Sequence, residues 1–277
     1  MPEAALAAPS SVSDALSAAA AVLSRAGCDT PRLDAELLLG SVLGVDRARL
    51  VMDSGSPLAS AAATRFGDLV ARRAAREPVA YILGRQAFRY LELAVDPRVL
   101  IPRPETELLV EVGLTLKSGA RVIDVGTGSG AVALALAHER PDLRVVGIDV
   151  SEDALAVARA NAARLGLDVE FVCGDLLGGV PGDAVLANLP YVASRDTGAL
   201  APEIGSFEPG LALFGGEDGL DLVRRLVAML DGVGLVALEV GFDQADRVAA
   251  LLSGAGYTSV ERLRDLAGHE RVVLARR

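Results

Sequence analysis

The sequence predicts an α/β fold: a seven-stranded, mostly parallel sheet that ends in an antiparallel hairpin and follows a small helical bundle. Three observations carry this reading. From residue 98 onward, near-continuous apolar runs alternate with helical patterns, as in a parallel sheet covered on both faces. The last two runs are joined by a loop without a helix, at Asp265–Glu270, so they pair antiparallel. The first 85 residues show helical periodicity and helix caps only.

In chain order, Ser11 with Asp14 reads as a capping box ahead of apolar positions Leu16, Ala20 and Leu23, and Gly27 ends that helix. Thr30 caps the next helix, with Pro31 at its first position. Leu33, Leu37 and Leu38 form its expected buried stripe, and Gly40 or Gly44 closes it. Asp46 caps a short helix, residues 58–76 form an Ala- and Arg-rich one, and Pro78 starts a final turn that ends near Gly84. No catalytic constellation appears in 1–85, which reads as a helical docking domain. Residues 86–97 change period, with Phe88, Tyr90, Leu93 and Val95 on two short strands and Asp96-Pro97 as a turn. This predicts a β-hairpin linker. In the α/β domain, 98–277, strands are expected at 121–125, 144–149, 169–173, 183–187, 233–240, 257–263 and 271–276. Helices are expected at 130–139, 152–165, 219–230 and 243–254.

Charge narrows the function. The 277 residues carry 27 basic and 37 acidic side chains, a net charge of −10. Residues 1–85 hold nine of each, so the whole excess lies in 86–277. A protein whose affinity rests on neutralising phosphates normally shows a basic footprint, and none is evident. The Arg cluster at 65, 72, 73, 76 and 85 reads as a solvated helix face, with an acidic partner or ribosomal RNA as the alternative. Cys28 and Cys173 lie far apart without a CxxC or a His neighbour, which fits neither a disulfide framework nor a zinc site. Cys173 is expected to be buried on its strand. Before Arg25 only Glu3 and Asp14 are charged, so no signal-peptide n-region is present, and no apolar run reaches the roughly 18–20 residues of a membrane span. A soluble, cytoplasmic protein is expected. His138 and His269 read as a helix-end residue and a loop residue, without a catalytic role.

The chemistry concentrates at a glycine loop, Asp124-Val125-Gly126-Thr127-Gly128-Ser129-Gly130, between a strand and a helix. Glycines let the backbone turn sharply and approach a ligand closely. Gly126, Gly128 and Ala131 also satisfy GxGxxA, the dinucleotide fingerprint, and Asp149 ends the next strand where an acid can hold ribose hydroxyls. A tight turn that binds nothing is the bland alternative. Two acids tilt the choice. Asp124 precedes the glycines, where a carboxylate repels a pyrophosphate and suits a cationic amino group. Asp175 follows the third strand at the same sheet edge. An acidic rim of Asp124, Asp149 and Asp175 suits S-adenosylmethionine, with its sulfonium and ammonium charges, better than a dinucleotide.

Asn188-Leu189-Pro190-Tyr191 follows the fourth strand and lies at that same edge. Alone, such a tetrapeptide is as readily a turn. Opposite the glycine loop it suits methyl transfer to a planar NH2 group, whose delocalised lone pair makes it a weak nucleophile. The Asn188 side-chain oxygen and the Leu189 carbonyl can accept its two N–H bonds and favour a geometry in which the lone pair points at the methyl group. Tyr191 can pack its ring on the planar group. Catalysis is then positioning and electrostatics, without a general base.

These residues resemble the PrmC/HemK family of release-factor glutamine methyltransferases. The glycine loop, Asp149 and the tetrapeptide are shared by S-adenosylmethionine enzymes in general. More specific are Leu100-Ile101-Pro102-Arg103-Pro104-Glu105-Thr106-Glu107, Phe207-Glu208-Pro209 through Leu213, Gly215-Gly216-Glu217-Asp218-Gly219-Leu220, and Glu239-Val240-Gly241 with Gln244. The resemblance covers essentially the whole chain and implies a Rossmann-like seven-stranded methyltransferase sheet. It implies methylation, at N5, of the glutamine in the Gly-Gly-Gln loop of peptide chain release factors. It puts S-adenosylmethionine at Gly126, Thr127, Gly128, Ser129, Gly130, Asp149, Leu176 and Asn188, with no metal, and the substrate glutamine at Asn188–Tyr191. The helical domain would help hold the release factor. Arg103 and Glu105 would border the pocket, or simply start a helix behind Pro104. One residue departs from the family: Leu189 stands where it has proline. The backbone carbonyl survives this change, and the fixed φ of proline is lost. Competing readings are an amino-group methyltransferase acting on DNA adenine or RNA guanine, a protein that binds S-adenosylmethionine with weak activity, and a nicotinamide oxidoreductase.

Overall fold

The computed structural model describes residues 11–277. They form two compact units, one of residues up to Gly84 together with Pro202–Phe207, the other of Arg85–Ala201 and Glu208–Arg277.

The first unit is helical: α1 (Val12–Arg25), α2 (Pro31–Leu43), α3 (Arg47–Met52), α4 (Ser60–Ala74) and α5 (Val79–Leu83). Its caps follow from the sequence. The Ser11 hydroxyl accepts from the Asp14 N–H and the Asp46 carboxylate from the Arg49 N–H, each satisfying an orphan donor of a first turn. Gly44 and Gly84 close α2 and α5 in the left-handed conformation. Two stripes differ from expectation. Ala19, not Ala20, is buried on α1, and on α2 Leu37 is exposed while Ala35, Leu38 and Leu39 are buried. The Thr30 hydroxyl donates to the Asp34 carboxylate instead of capping α2.

The second unit opens with the hairpin β1 (Arg85–Phe88) and β2 (Leu91–Ala94), paired antiparallel. The chain reverses at Arg89-Tyr90, with Arg89 at φ +50°. Asp96-Pro97 makes a separate turn, closed by the Val99 N–H on the Asp96 carbonyl. Then follow α6 (Glu107–Leu114), β3 (Arg121–Val125), α7 (Ala131–Glu139), β4 (Arg144–Asp149), α8 (Glu152–Leu165), β5 (Glu170–Cys173) and β6 (Ala184–Ala187). One short helix, α9 (Pro202–Phe207), groups with the helical unit. The chain returns for α10 (Asp221–Val227), β7 (Leu235–Glu239), α11 (Ala245–Gly254), β8 (Ser259–Arg264) and β9 (Glu270–Arg276).

The sheet order is β5-β4-β3-β6-β7-β9-β8. Pairs from β5 through β7 are parallel, and β9 lies antiparallel between β7 and β8. Each face buries its own core, one with Ile123, Val125, Ile148 and Leu238, the other with Val122, Leu134, Leu186 and Leu274. The alternation along β3 is the two-residue period of a strand covered on both sides. Cys173 is exposed, contrary to expectation, because β5 is an edge strand with no fully buried residue. Among the described residues no helix is long and apolar enough to cross a membrane.

Within the helical unit, Glu203 of α9 meets Arg73 at 2.8 Å and Arg76 at 2.6 Å, and Arg73 also pairs with Asp34 at 2.7 Å. Arg73 is 7% exposed, so its second carboxylate compensates a charge that water does not reach. Arg72 pairs with Glu77 and Arg85 with Glu92. Of the five arginines expected on a solvated helix face, four are thus held by carboxylates, and two depart from that expectation: Arg73 is buried and Arg85 lies on β1.

Candidate active site

The strand order sets the C-terminal ends of β3, β4, β5 and β6 side by side, where the loops enclose a cavity of about 430 Å³. Asp124, Gly126, Thr127, Gly128, Ser129, Asp149, Asp175, Leu176, Asn188, Leu189 and Pro190 line it. Gly130, Tyr191, Arg103 and Glu105 do not. Gly130 instead caps α7, in the left-handed conformation.

The glycine loop is fixed from three sides. The Gly126 and Thr127 N–H groups both donate to the Ile148 carbonyl. Asp149 accepts from the Gly128 N–H at 2.9 Å on one oxygen and from the Ser151 N–H at 2.9 Å on the other. Asn161 of α8, fully buried, donates to the Ser129 carbonyl and exchanges two bonds with Ala94 of β2. The hairpin therefore buttresses the loop, a role its sequence did not announce. A Cβ on Gly126 would lie 3.5 Å from the Asn188 carbonyl oxygen, so loop and tetrapeptide are in contact.

Asp124 is buried at the end of β3 and accepts from the Thr127 hydroxyl (2.6 Å) and the Ala133 N–H (3.1 Å), both on Oδ2. Burial pushes its carboxyl up to about 6, with the charge of Asp149 adding to the push and these two bonds opposing it. Asp175 differs from expectation: it pairs with Arg225 of α10, which also lines the cavity. The acidic character therefore rests on Asp124 and Asp149.

The tetrapeptide is held by three motifs distant in sequence. Val192 N–H donates to the Leu213 carbonyl and Gly215 N–H to the Val192 carbonyl. A Cβ on Gly215 would lie 2.2 Å from the Pro190 carbonyl oxygen, and one on Gly219 2.2 Å from that of Tyr191. Gln244 donates to the Tyr191 carbonyl and accepts from the Gly241 N–H. Asn188 Nδ2 donates to Thr106 Oγ1 at 3.1 Å, and that hydroxyl donates to Glu239 Oε2 at 2.6 Å. Burial, with help from the nearby charge of Glu239, pushes the Tyr191 phenol up to about 12, which keeps it neutral. Arg103 pairs with Glu208, whose other oxygen accepts from the Ile101 N–H. Arg103 thus ties two segments together behind the cavity wall. Thr106, Glu239, Gln244 and Asn161 were not singled out for a role by sequence.

The chain is 41% identical over 264 residues, 91% of each chain, to a release factor glutamine methyltransferase of Caulobacter vibrioides. The chain belongs to the release factor glutamine methyltransferase family. The Deinococcus radiodurans relative of that name is 43% identical over 220 residues, 78% of this chain and 79% of its own. Residues 14–84 match the PrmC N-terminal domain, and residues 116–186 match a methyltransferase domain. A methyltransferase from Pyrococcus furiosus shares the fold, with a TM-score of 0.53 at 20% identity over 76% of this chain and 98% of that one. This member of the release factor glutamine methyltransferase family is an enzyme, and its candidate site is the cavity at the C-terminal edge of the sheet.

Proposed function

We propose that the chain transfers a methyl group from S-adenosylmethionine to the side-chain amide nitrogen of the glutamine in the Gly-Gly-Gln loop of peptide chain release factors. The observation that carries this reading is the contact between the glycine loop and Asn188-Leu189 in one cavity whose deepest ionisable group, Asp124, is an acid. A volume of about 430 Å³ is in the range of small-molecule sites. The residues suit the cofactor: Oδ1 of Asp124, outside its two hydrogen bonds, for an ammonium group; the second lone pairs of Asp149 for ribose hydroxyls; and Leu176 for an apolar ring. Bound there, the cofactor supplies an electrophilic methyl on a sulfonium. Asn188 Oδ1 and the Leu189 carbonyl accept the two N–H bonds of the glutamine amide, and neutral Tyr191 offers a ring face, not a base. The amide needs no base before attack, because the alkylated product sheds its proton readily to water. The helical unit is the docking surface for the release factor, and its paired arginines, Arg72, Arg73 and Arg76, count against a nucleic-acid acceptor.

The test is incubation with labelled methyl donor and, separately, release factor, duplex DNA and ribosomal RNA. Mass spectrometry is expected to find one added methyl on the loop glutamine, lost with Asn188→Ala. Label in nucleic acid alone overturns the reading.

A further inference from the structure

An asparagine amide presents an acceptor on one side and a donor on the other, and half a turn about its last bond exchanges them. If Asn188 is to accept from a substrate NH2, its oxygen must face the substrate; in the reverse orientation two donors meet. What fixes the choice lies behind Asn188. Its Nδ2 donates to Thr106 Oγ1, and the Thr106 hydroxyl donates to Glu239 Oε2 at 2.6 Å. A threonine hydroxyl has one proton, and an ionised carboxylate can only accept. With that proton committed to Glu239, Thr106 can offer Asn188 only an acceptor, so the NH2 end is drawn inward and the oxygen left outward. Thr106 is 5% and Glu239 3% exposed, so water has little access to break the sequence.

We infer that Thr106 and Glu239 are positioning residues that orient the Asn188 amide for its substrate, and that protonation of Glu239 releases this orientation. A protonated Glu239 can itself donate to Thr106 Oγ1. The threonine oxygen can then accept from Asn188 or turn its proton toward it, so both orientations of the amide find a partner and the oxygen is no longer held outward. The groups facing Glu239 are Glu105, from the turn before α6, which disfavours its charge, and Arg271 and Arg103, which favour it. Tyr191 also stands near. Burial pushes the Glu239 carboxyl up to about 7, against the opposing Thr106 hydrogen bond and the charges of Arg271 and Arg103, which pair with Asp265 and Glu208. The switch therefore falls near neutrality. The inference rests on the proposed role of Asn188 as an amide acceptor.

Two measurements separate the relay from that reading. The first needs no substrate: the Asn188 side-chain NH2 resonance, assigned by its loss in Asn188→Asp, is followed by NMR across neutral pH. It is expected to shift with a single titration near 7 that Glu239→Gln abolishes. A resonance that ignores pH, or titrates equally in Glu239→Gln, overturns the relay. The second is methyl transfer to release factor at saturating donor. In the wild type kcat is expected to rise with pH through one proton near 7, and in Glu239→Gln that limb is expected to vanish. Thr106→Val is expected to lower kcat roughly 10–100-fold, the cost of a misplaced group, with donor KM little changed, and Thr106→Ser to restore it. A Thr106→Val enzyme with wild-type kcat and an unchanged limb overturns the inference. If that variant does not fold, the Thr106→Ser and Glu239→Gln pH profiles decide. A titrating Asn188 resonance without transfer to the glutamine overturns the substrate reading and leaves the relay standing.

Discussion

Gln244 of the turn before α11 holds Tyr191 by its backbone, donating from Nε2 to the Tyr191 carbonyl at 2.9 Å while its Oε1 accepts from the Gly241 N–H at 3.0 Å. Gln244 is 5% exposed, so neither bond has water as a ready substitute. Gln244→Leu leaves a buried carbonyl and a buried N–H unpaired. The expected loss is about 1–3 kcal/mol of stability, with slower turnover on release factor because the tetrapeptide loses its anchor. Gln244→Glu keeps the Gly241 bond and sets a carboxylate against the Tyr191 carbonyl, so it too should turn over slowly. Thermal melts and turnover of both variants check this; wild-type turnover in both would remove the anchor from the mechanism.

Gly219 and Gly232 make a matched pair. Their φ values are +78° and +76°, so alanine is strained equally at each. Only at Gly219 does a Cβ also collide, 2.2 Å from the Tyr191 carbonyl oxygen; at Gly232 nothing lies within 4 Å. Gly232→Ala should therefore cost only the left-handed penalty, about 1–2 kcal/mol, and leave methyl transfer intact. Gly219→Ala should cost more and abolish transfer by displacing Tyr191. Equal melting temperatures for the two variants would show that the packing of this segment on the tetrapeptide is not tight.

The contrast between these anchors and the glycine loop explains what was legible in the sequence. The sheet was, because strand periodicity and the helix-free link between the last two strands are local signals. So were Asp124, Gly126 to Ser129 and Asn188 to Pro190 of the cavity wall, since each group is one contiguous turn at a strand end. Thr106 and Glu239 lie 133 positions apart, and Asn188 and Thr106 lie 82 apart; no local pattern announces a hydrogen bond over such separations. Asp175 reaches the cavity as expected, but its partner Arg225, 50 residues later on α10, was not legible. On α2 the expected stripe was Leu33, Leu37 and Leu38, whereas the stripe that packs is set by Ala35 with Leu38 and Leu39.

Asp124 predicts a conflict between stability and binding. Its folded carboxyl, pushed up to about 6 by burial, lies above the ordinary aspartate value of 3.8. A group shifted this way contributes stability that is fully present below the unfolded value and lost as pH rises through the folded one, so at pH 8 the buried carboxylate costs on the order of 3 kcal/mol. Asn at this position keeps an oxygen for Thr127 and Ala133 and carries no charge. Asp124→Asn should therefore raise the melting temperature of the cofactor-free enzyme at pH 8. It should also weaken S-adenosylmethionine roughly 10–100-fold, by removing the carboxylate from its ammonium group. Calorimetric titration and melting at pH 8 measure both; unchanged affinity would mean that Asp124 does not meet the ammonium.

Leu189 allows the tetrapeptide's preorganisation to be tested in the gaining direction. Its side chain is 5% exposed and lies in the core, with Cδ2 close enough to Gly126 to touch a Cβ there. Among the described residues its N–H makes no hydrogen bond, so proline at this position removes no partner. What proline adds is a fixed φ on the residue whose carbonyl is to accept from the substrate amide, where Pro190 already restricts ψ. What it takes away is leucine packing, at roughly 1–2 kcal/mol for the lost methyl groups. Leu189→Pro should thus melt a few degrees lower and turn over faster, by about two- to tenfold, since a carbonyl held in place does not have to be ordered in the transition state. Single-turnover methylation of release factor at saturating donor separates the two effects. A variant that is less stable and no faster would show that leucine already holds the carbonyl as well as proline does, through its own burial against the glycine loop.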